Sequence, residues 1–161
     1  MKQLKDIKTI CNLGCGTMGF GTAIAFAQNG YNVNMYGRKD ASIERATKNI
    51  NFTLNVMVEN NLLTEVGAKE VLSRIHGVTT LKDAAHNADF VIESVAEELS
   101  IKQSVYKEME EYLGEDVIFA TDSSGLSPTA VAAALKHPER FVVAHFWNPP
   151  HLIPLVEVVP G

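Results

Sequence analysis

Three glycines, Gly14, Gly16 and Gly19, stand between an apolar run over residues 7–13 and an Ala-rich stretch over residues 22–28. Few folds accommodate that arrangement. A glycine directly after a buried strand lets the backbone turn sharply, a second lets it approach an anion closely, and a third lets the following helix lie against the sheet. The helix N-terminus then presents unpaired N–H groups and the positive end of its dipole to the same point. With a strand before it and a helix after it, this spacing predicts a site for the pyrophosphate of a dinucleotide, rather than a plain strand-to-helix turn. Gly14, Gly16, Thr17, Met18 and Gly19 are the expected residues of that loop.

The chain has 161 residues, 46% of them hydrophobic, enough for one substantial core, so residues 1–161 are expected to form a single domain. Its formal charge of −5 provides no electrostatic footprint for nucleic acid and no polybasic patch for a membrane surface. The longest apolar runs are strand length, and the N-terminus lacks the apolar segment of a signal peptide, so a cytoplasmic location is expected. Cys11 and Cys15 lie on or just after one strand, too close along it for an easy bridge; both are expected as buried free thiols. No histidine or second cysteine pair has metal-ligand spacing, so no metal site is expected.

Short apolar runs alternate with helical patterns along the whole chain. This predicts an α/β fold with a doubly wound, mainly parallel sheet. Gly30 caps the first helix, and residues 31–36 read as the second strand. From Ile43 to Leu62, apolar residues recur at three- and four-residue intervals, as on a long amphipathic helix. Thr64 then reads as the N-cap of a second helix ending near Ile75. The pair predicts a helical hairpin inserted into the nucleotide-binding pattern, either covering the sheet or forming the rim of a large substrate site. Beyond it, strands are expected over 78–81, 89–95, 117–120, 140–146 and 155–159. Helices are expected over 100–113 and, from the Ser127-Pro128 start, to about Leu135.

Four motifs then appear in order: the glycine loop, Glu93-Ser-Val-Ala-Glu-Glu, Asp122-Ser-Ser-Gly-Leu-Ser-Pro, and a long run from His145-Phe-Trp-Asn-Pro-Pro to Val159. Together they resemble the nucleotide-binding domain of the 3-hydroxyacyl-CoA dehydrogenase family, over essentially the whole chain. The resemblance implies a Rossmann-type fold, NAD as cofactor and an acyl-CoA substrate. It also implies a helical C-terminal domain beyond Gly161 and a homodimer in the full-length enzyme. By the same resemblance His145 is the catalytic base, Glu157 its glutamate and Ser124 a substrate-orienting serine, while Glu97, Lys102 and Asn148 contact the cofactor. A solvent-exposed helix start would account for Glu97 and Lys102 as well.

The chemistry of the last motif also stands by itself. His145 is expected at the C-terminal end of a parallel strand, where open α/β sheets bind ligands. Glu157 follows on the next strand. A carboxylate paired with an imidazole fixes its tautomer and favours its protonated form, so His145 can take a hydroxyl proton and hold it. His76, His86 and His137 fall in expected turns or helix ends and read as surface residues, and His151 as a structural or rim residue. The expected activity is hydride transfer between a 3-hydroxyacyl-CoA and a nicotinamide cofactor. The alternatives are a dehydrogenase of a hydroxy acid without CoA, of the gulonate or carnitine type, and a nucleotide-binding module without turnover.

Two residues depart from the pattern. NAD-binding members end the second strand with an acid that binds the adenosine ribose, but here Gly37 stands at that place, followed by Arg38. A glycine makes room and a guanidinium pairs with a 2′-phosphate, so Gly37 and Arg38 point toward NADP, unless Asp40 folds back to replace the acid. Asp122 stands where close relatives commonly carry Asn and places an additional carboxylate near the nicotinamide end.

Overall fold

The computed structural model describes residues 3–160. Its strands are β1 (Thr9–Leu13), β2 (Asn32–Tyr36), β3 (Ile75–Val78), β4 (Phe90–Glu93), β5 (Ile118–Thr121), β6 (Phe141–Phe146) and β7 (Val156–Pro160). The helices are α1 (Thr17–Gln28), α2 (Asp40–Glu59), α3 (Glu65–Arg74), α4 (Leu81–Ala85), α5 (Leu99–Met109) and α6 (Pro128–Ala132). All seven strands form one sheet in the order β3-β2-β1-β4-β5-β6-β7. Every pairing is parallel except β6 with β7, which is antiparallel. The chain starts in the middle of the sheet, builds outward to β3, then returns to the other side of β1 with β4. The C-terminal ends of β1 and β4 therefore flank a crevice at the point where strand order reverses, which is where such sheets bind ligands. This is the doubly wound, Rossmann-type architecture expected from the sequence.

Each face of the sheet carries its own apolar layer. One is built from α1, α2 and α3 with Ile10, Val33, Met35, Ile92 and Ala120 of the strands, and the other from α4, α5 and α6 with Cys11, Leu13, Val91 and Phe119. Consecutive strand residues go to opposite layers, which is why residues 10–13 of β1 and 91–93 of β4 are all buried instead of alternating with exposed ones. The helical hairpin forms as expected. The Thr64 side chain accepts a hydrogen bond from Gly67 N at 3.0 Å and caps α3. Ala46, Ile50, Leu54 and Met57 of α2 and Val71 of α3 are buried, so the hairpin covers the sheet. Leu62 lies beyond the helix and is exposed.

Three expected elements are placed differently; one is the helix expected over 100–113, which is α5 and ends at Met109, short of Leu113. The strand expected over residues 78–81 is β3, at Ile75–Val78, and Leu81 instead opens α4. Thr79 and Thr80 favour a strand locally, but the Thr80 hydroxyl accepts from Asp83 N at 3.1 Å and starts a helix. The helix begun by Ser127 and Pro128 ends at Ala132, short of Leu135. Cys11 is buried and Cys15 only partly so; both are free. His76 and His86 are exposed and His137 and His151 half-buried. Among the described residues, no helix is long and apolar enough to cross a membrane, and no group of His, Cys, Asp or Glu is arranged to hold a metal ion.

Candidate active site

The glycine loop occupies the crevice between β1 and β4. Gly14 has φ +115°, a conformation that L side chains rarely adopt, and a Cβ there would strike the Ser94 carbonyl. A Cβ on Gly19 would run into the Gly14 carbonyl, so these two glycines are required by the protein itself. Buried Asn12, in the middle of β1, holds the loop from beneath. Its Nδ2 donates to Gly14 O at 2.8 Å and Gly19 O at 3.0 Å, and its Oδ1 accepts from the Thr22 hydroxyl at 2.8 Å. Gly16 differs from both neighbours. Its φ is −72° and a Cβ would meet nothing within 4 Å, so neither packing nor backbone requires glycine there. The open space lies at the uncapped N-terminus of α1, where a backbone cradle fits a pyrophosphate. The loop residues thus fit a dinucleotide. Thr17, the first residue of α1, is exposed; Met18 faces the cleft beyond β4.

That cleft, of about 440 Å³, is lined by Met18, Lys102, Asp122, Ser124, His145 and Asn148, among others. The β6–β7 ladder sets its chemistry. Antiparallel register puts His145 directly opposite Glu157, and His145 Nδ1 lies 2.8 Å from Glu157 Oε2. With Nδ1–H donated to the carboxylate, Nε2 is left as the acceptor. The side chains remain partly open, His145 at 27% and Glu157 at 54% exposure. Ser124, on the loop after β5, is exposed at the cleft wall. The segment carrying Asn148 crosses α1 at Gly21, where a Cβ would meet Pro150 at 2.8 Å.

Lys102 is not the solvent-exposed helix residue that its position near the start of α5 allowed. It is 1% exposed, with Nζ 2.7 Å from Glu93 Oε1 and 3.2 Å from Glu97 Oε2. Glu93, fully buried at the end of β4, also accepts from Val95 N at 2.6 Å and from the Thr121 hydroxyl at 2.7 Å. Glu97 accepts from the Ser123 hydroxyl; Ser123 and Lys102 outweigh burial and hold its carboxyl below the usual range. A buried ammonium between two carboxylates is held in position, since removing one partner leaves an uncompensated charge. Glu93 was not singled out as a site residue from the sequence. A lone acid closing an apolar strand was the available signal.

Asp122 accepts from Phe146 N at 2.8 Å and from the Ser94 hydroxyl at 3.3 Å, which ties the end of β5 to β4 and β6. Burial pushes its carboxyl up to about 6, against these hydrogen bonds and the nearby His145.

A second cleft, of about 390 Å³, lies on the other side of the glycine loop. Gly14, Gly16, Gly37 and Arg38 line it, joined by Ser42 and Arg45 of α2. Gly37 does not open space for a ligand in its Cβ direction. That position is taken by Cys15 Sγ at 2.6 Å and Ile43 Cδ1 at 2.9 Å, so glycine there serves the packing of α2 on the loop. Among the described residues no carboxylate lines this cleft, and Asp40 does not fold back into it. Burial raises the Cys15 thiol and the Arg45 guanidinium opposes that rise, which puts Arg45 within electrostatic reach of the loop.

Residues 9–161 match the family described as 3-hydroxyacyl-CoA dehydrogenase, NAD binding domain. The chain is 37% identical over 156 residues to a 5-formyl-3-hydroxy-2-methylpyridine 4-carboxylate 5-dehydrogenase of Mesorhizobium japonicum, covering 96% of this chain and 49% of that protein. It is 35% identical over 156 residues to the 3-hydroxyadipyl-CoA dehydrogenase of Escherichia coli K12, covering 97% of this chain and 33% of that protein. The crystal structure of (S)-3-hydroxybutyryl-CoA dehydrogenase from Ralstonia eutropha superposes with a TM-score of 0.92 at 35% identity, over 96% of this chain and 54% of that one. The chain thus spans about half or less of the length of these relatives. Sheet order, glycine loop and sequence agree on one conclusion: the chain belongs to the NAD-binding domain family of the 3-hydroxyacyl-CoA dehydrogenases.

Proposed function

We propose that this chain is the nucleotide-binding and catalytic part of a dehydrogenase that moves hydride between C3 of a 3-hydroxyacyl-CoA and a nicotinamide ring. The observation that carries this reading is His145, 2.8 Å from Glu157, on the wall of a cleft that Met18 of the glycine loop also lines. When bound, the nicotinamide supplies the hydride acceptor. The residues of the chain handle the proton and the geometry. His145 Nε2 takes the hydroxyl proton as the C3–H bond breaks and the C3–O bond becomes a carbonyl, and Glu157 stabilises the imidazolium that results. Ser124 hydrogen-bonds the reacting oxygen, and Asn148 and the Lys102–Glu97 pair border the cofactor. Relatives that are twice as long or longer support a further domain in the active enzyme, closing the open side of this cleft.

One observation favours a second reading. The Mesorhizobium relative, at 37% identity, is named for a pyridine substrate that carries no CoA. Turnover of the enzyme carrying this domain, measured with a 3-hydroxyacyl-CoA and with the corresponding free hydroxy acid, separates the two. His145→Gln is expected to lower kcat by roughly 10²–10⁴-fold, and Glu157→Gln to lower it with cofactor affinity nearly intact. Wild-type turnover in both folded variants would make the pair structural and end this mechanism.

A further inference from the structure

The second cleft holds positive charge where the fold ordinarily uses an acid. In this architecture a carboxylate about 20 residues beyond the glycine loop binds the 2′-hydroxyl of the adenosine ribose, and its negative charge repels a 2′-phosphate. Here Gly37 directly follows β2, and its Cβ direction is filled by Cys15 and Ile43, so the position that carries the acid elsewhere has no side chain here. Arg38 approaches from the strand end and Arg45 from the second turn of α2, with the Ser42 hydroxyl between them in sequence, and all three line the same cleft as Gly14 and Gly16. Both arginines are exposed, and neither is ion-paired with a carboxylate among the described residues. Asp40 and Glu44, the acids nearest in sequence, do not line the cleft.

We propose that Arg38, Arg45 and Ser42 form a binding site for the 2′-phosphate of NADP(H), so that this member of an NAD-binding family takes the phosphorylated dinucleotide in preference. The proposal rests on the dinucleotide reading of the glycine loop and adds the identity of the cofactor. Two guanidinium groups match the charge of a phosphate monoester, and the planar fork of arginine pairs with its oxygens bidentately. The hydroxyl of Ser42 adds a neutral donor. The site is open to solvent, so its contribution weakens with salt.

Equilibrium titration of the chain with NAD+, NADP+, 5′-AMP and 2′,5′-ADP tests it. NADP+ is expected to bind at least about tenfold more tightly than NAD+, and 2′,5′-ADP more tightly than 5′-AMP by a similar factor, with both advantages shrinking as salt rises. Arg38→Ala and Arg45→Ala should each reduce NADP+ affinity by about tenfold and change NAD+ affinity by less than about threefold. Equal or tighter binding of NAD+ to the unaltered chain overturns the proposal and leaves the dinucleotide reading standing. So does an equal loss of both cofactors in the arginine variants. Failure of all four nucleotides to bind overturns the dinucleotide reading itself.

Discussion

Among single residues, Gly16 separates what the fold needs from what a ligand needs. A Cβ at Gly16 meets nothing, whereas one at Gly19 meets the Gly14 carbonyl. Gly16→Val is therefore expected to leave the melting temperature of the free chain nearly unchanged while abolishing its rise on adding cofactor. That rise is roughly 5–10 °C at a hundredfold excess over Kd. Gly19→Val should cost at least about 1–3 kcal/mol without any ligand. Scanning calorimetry of both variants, with and without nucleotide, checks the pair; a retained ligand shift in Gly16→Val contradicts the assigned cradle. Asp122 supplies a pH test. Its carboxyl is raised to about 6 in the folded chain against 3.8 for the free side chain, so the native state holds the proton more tightly than the unfolded state. The stability contributed by that preference is present below about pH 4 and is lost as pH rises through about 6. Asp122→Asn should therefore gain stability relative to the natural chain as pH increases over that window, measured by melting at fixed ionic strength. A constant difference from pH 4 to pH 7 would contradict it. Placement set by nearby sequence was legible: the glycine loop between β1 and α1, and His145 beside Glu157 twelve positions on. Lys102 was not, because its burial depends on Glu93 at the end of another element, and local composition at a helix start resembles a solvated surface.

At the level of elements, boundaries were harder to infer than the elements themselves. The hairpin was legible because α2 carries a long 3.6-residue stripe and Thr64 stands just before α3. Thr64→Ala is expected to destabilise the chain by about 1 kcal/mol by releasing Gly67 N, read as a lower denaturant midpoint at unchanged m-value. No change in midpoint would mean that water replaces the cap without loss. The β3–α4 region was misplaced for a physical reason. Thr79 and Thr80 carry strand propensity, but the Thr80 hydroxyl facing the amide three residues on favours a helix start. The position of β3 is also set from outside, since Gly77 lets the strand pass beneath Ile43 of α2. No pattern within the strand reports that contact.

Across the whole molecule, the sheet order follows from alternation of strand and helix, which the sequence displays openly, and the crevice between β1 and β4 follows from the order. The positive lining of the second cleft does not. Arg45 comes to it only because α2 begins directly after β2 and turns back over the loop. The position of β7 has a consequence for the order in which the molecule comes apart. This strand pairs with β6 alone, antiparallel, and Val156, Val158 and Val159 are all exposed, whereas β1 and β4 are buried between neighbours on both sides. An edge strand so sparsely covered opens at lower free energy than the central ladder. Hydrogen exchange is expected to be fastest at the amides of β7 and slowest at those of β1 and β4. Equal protection across the sheet would contradict this. Glu157 rides on the strand that leaves first, while the glycine loop hangs from the strands that leave last. Under mild denaturant the chain should therefore separate Glu157 from His145 before the glycine loop opens, passing through a state in which the nucleotide cradle outlasts the His145–Glu157 pair.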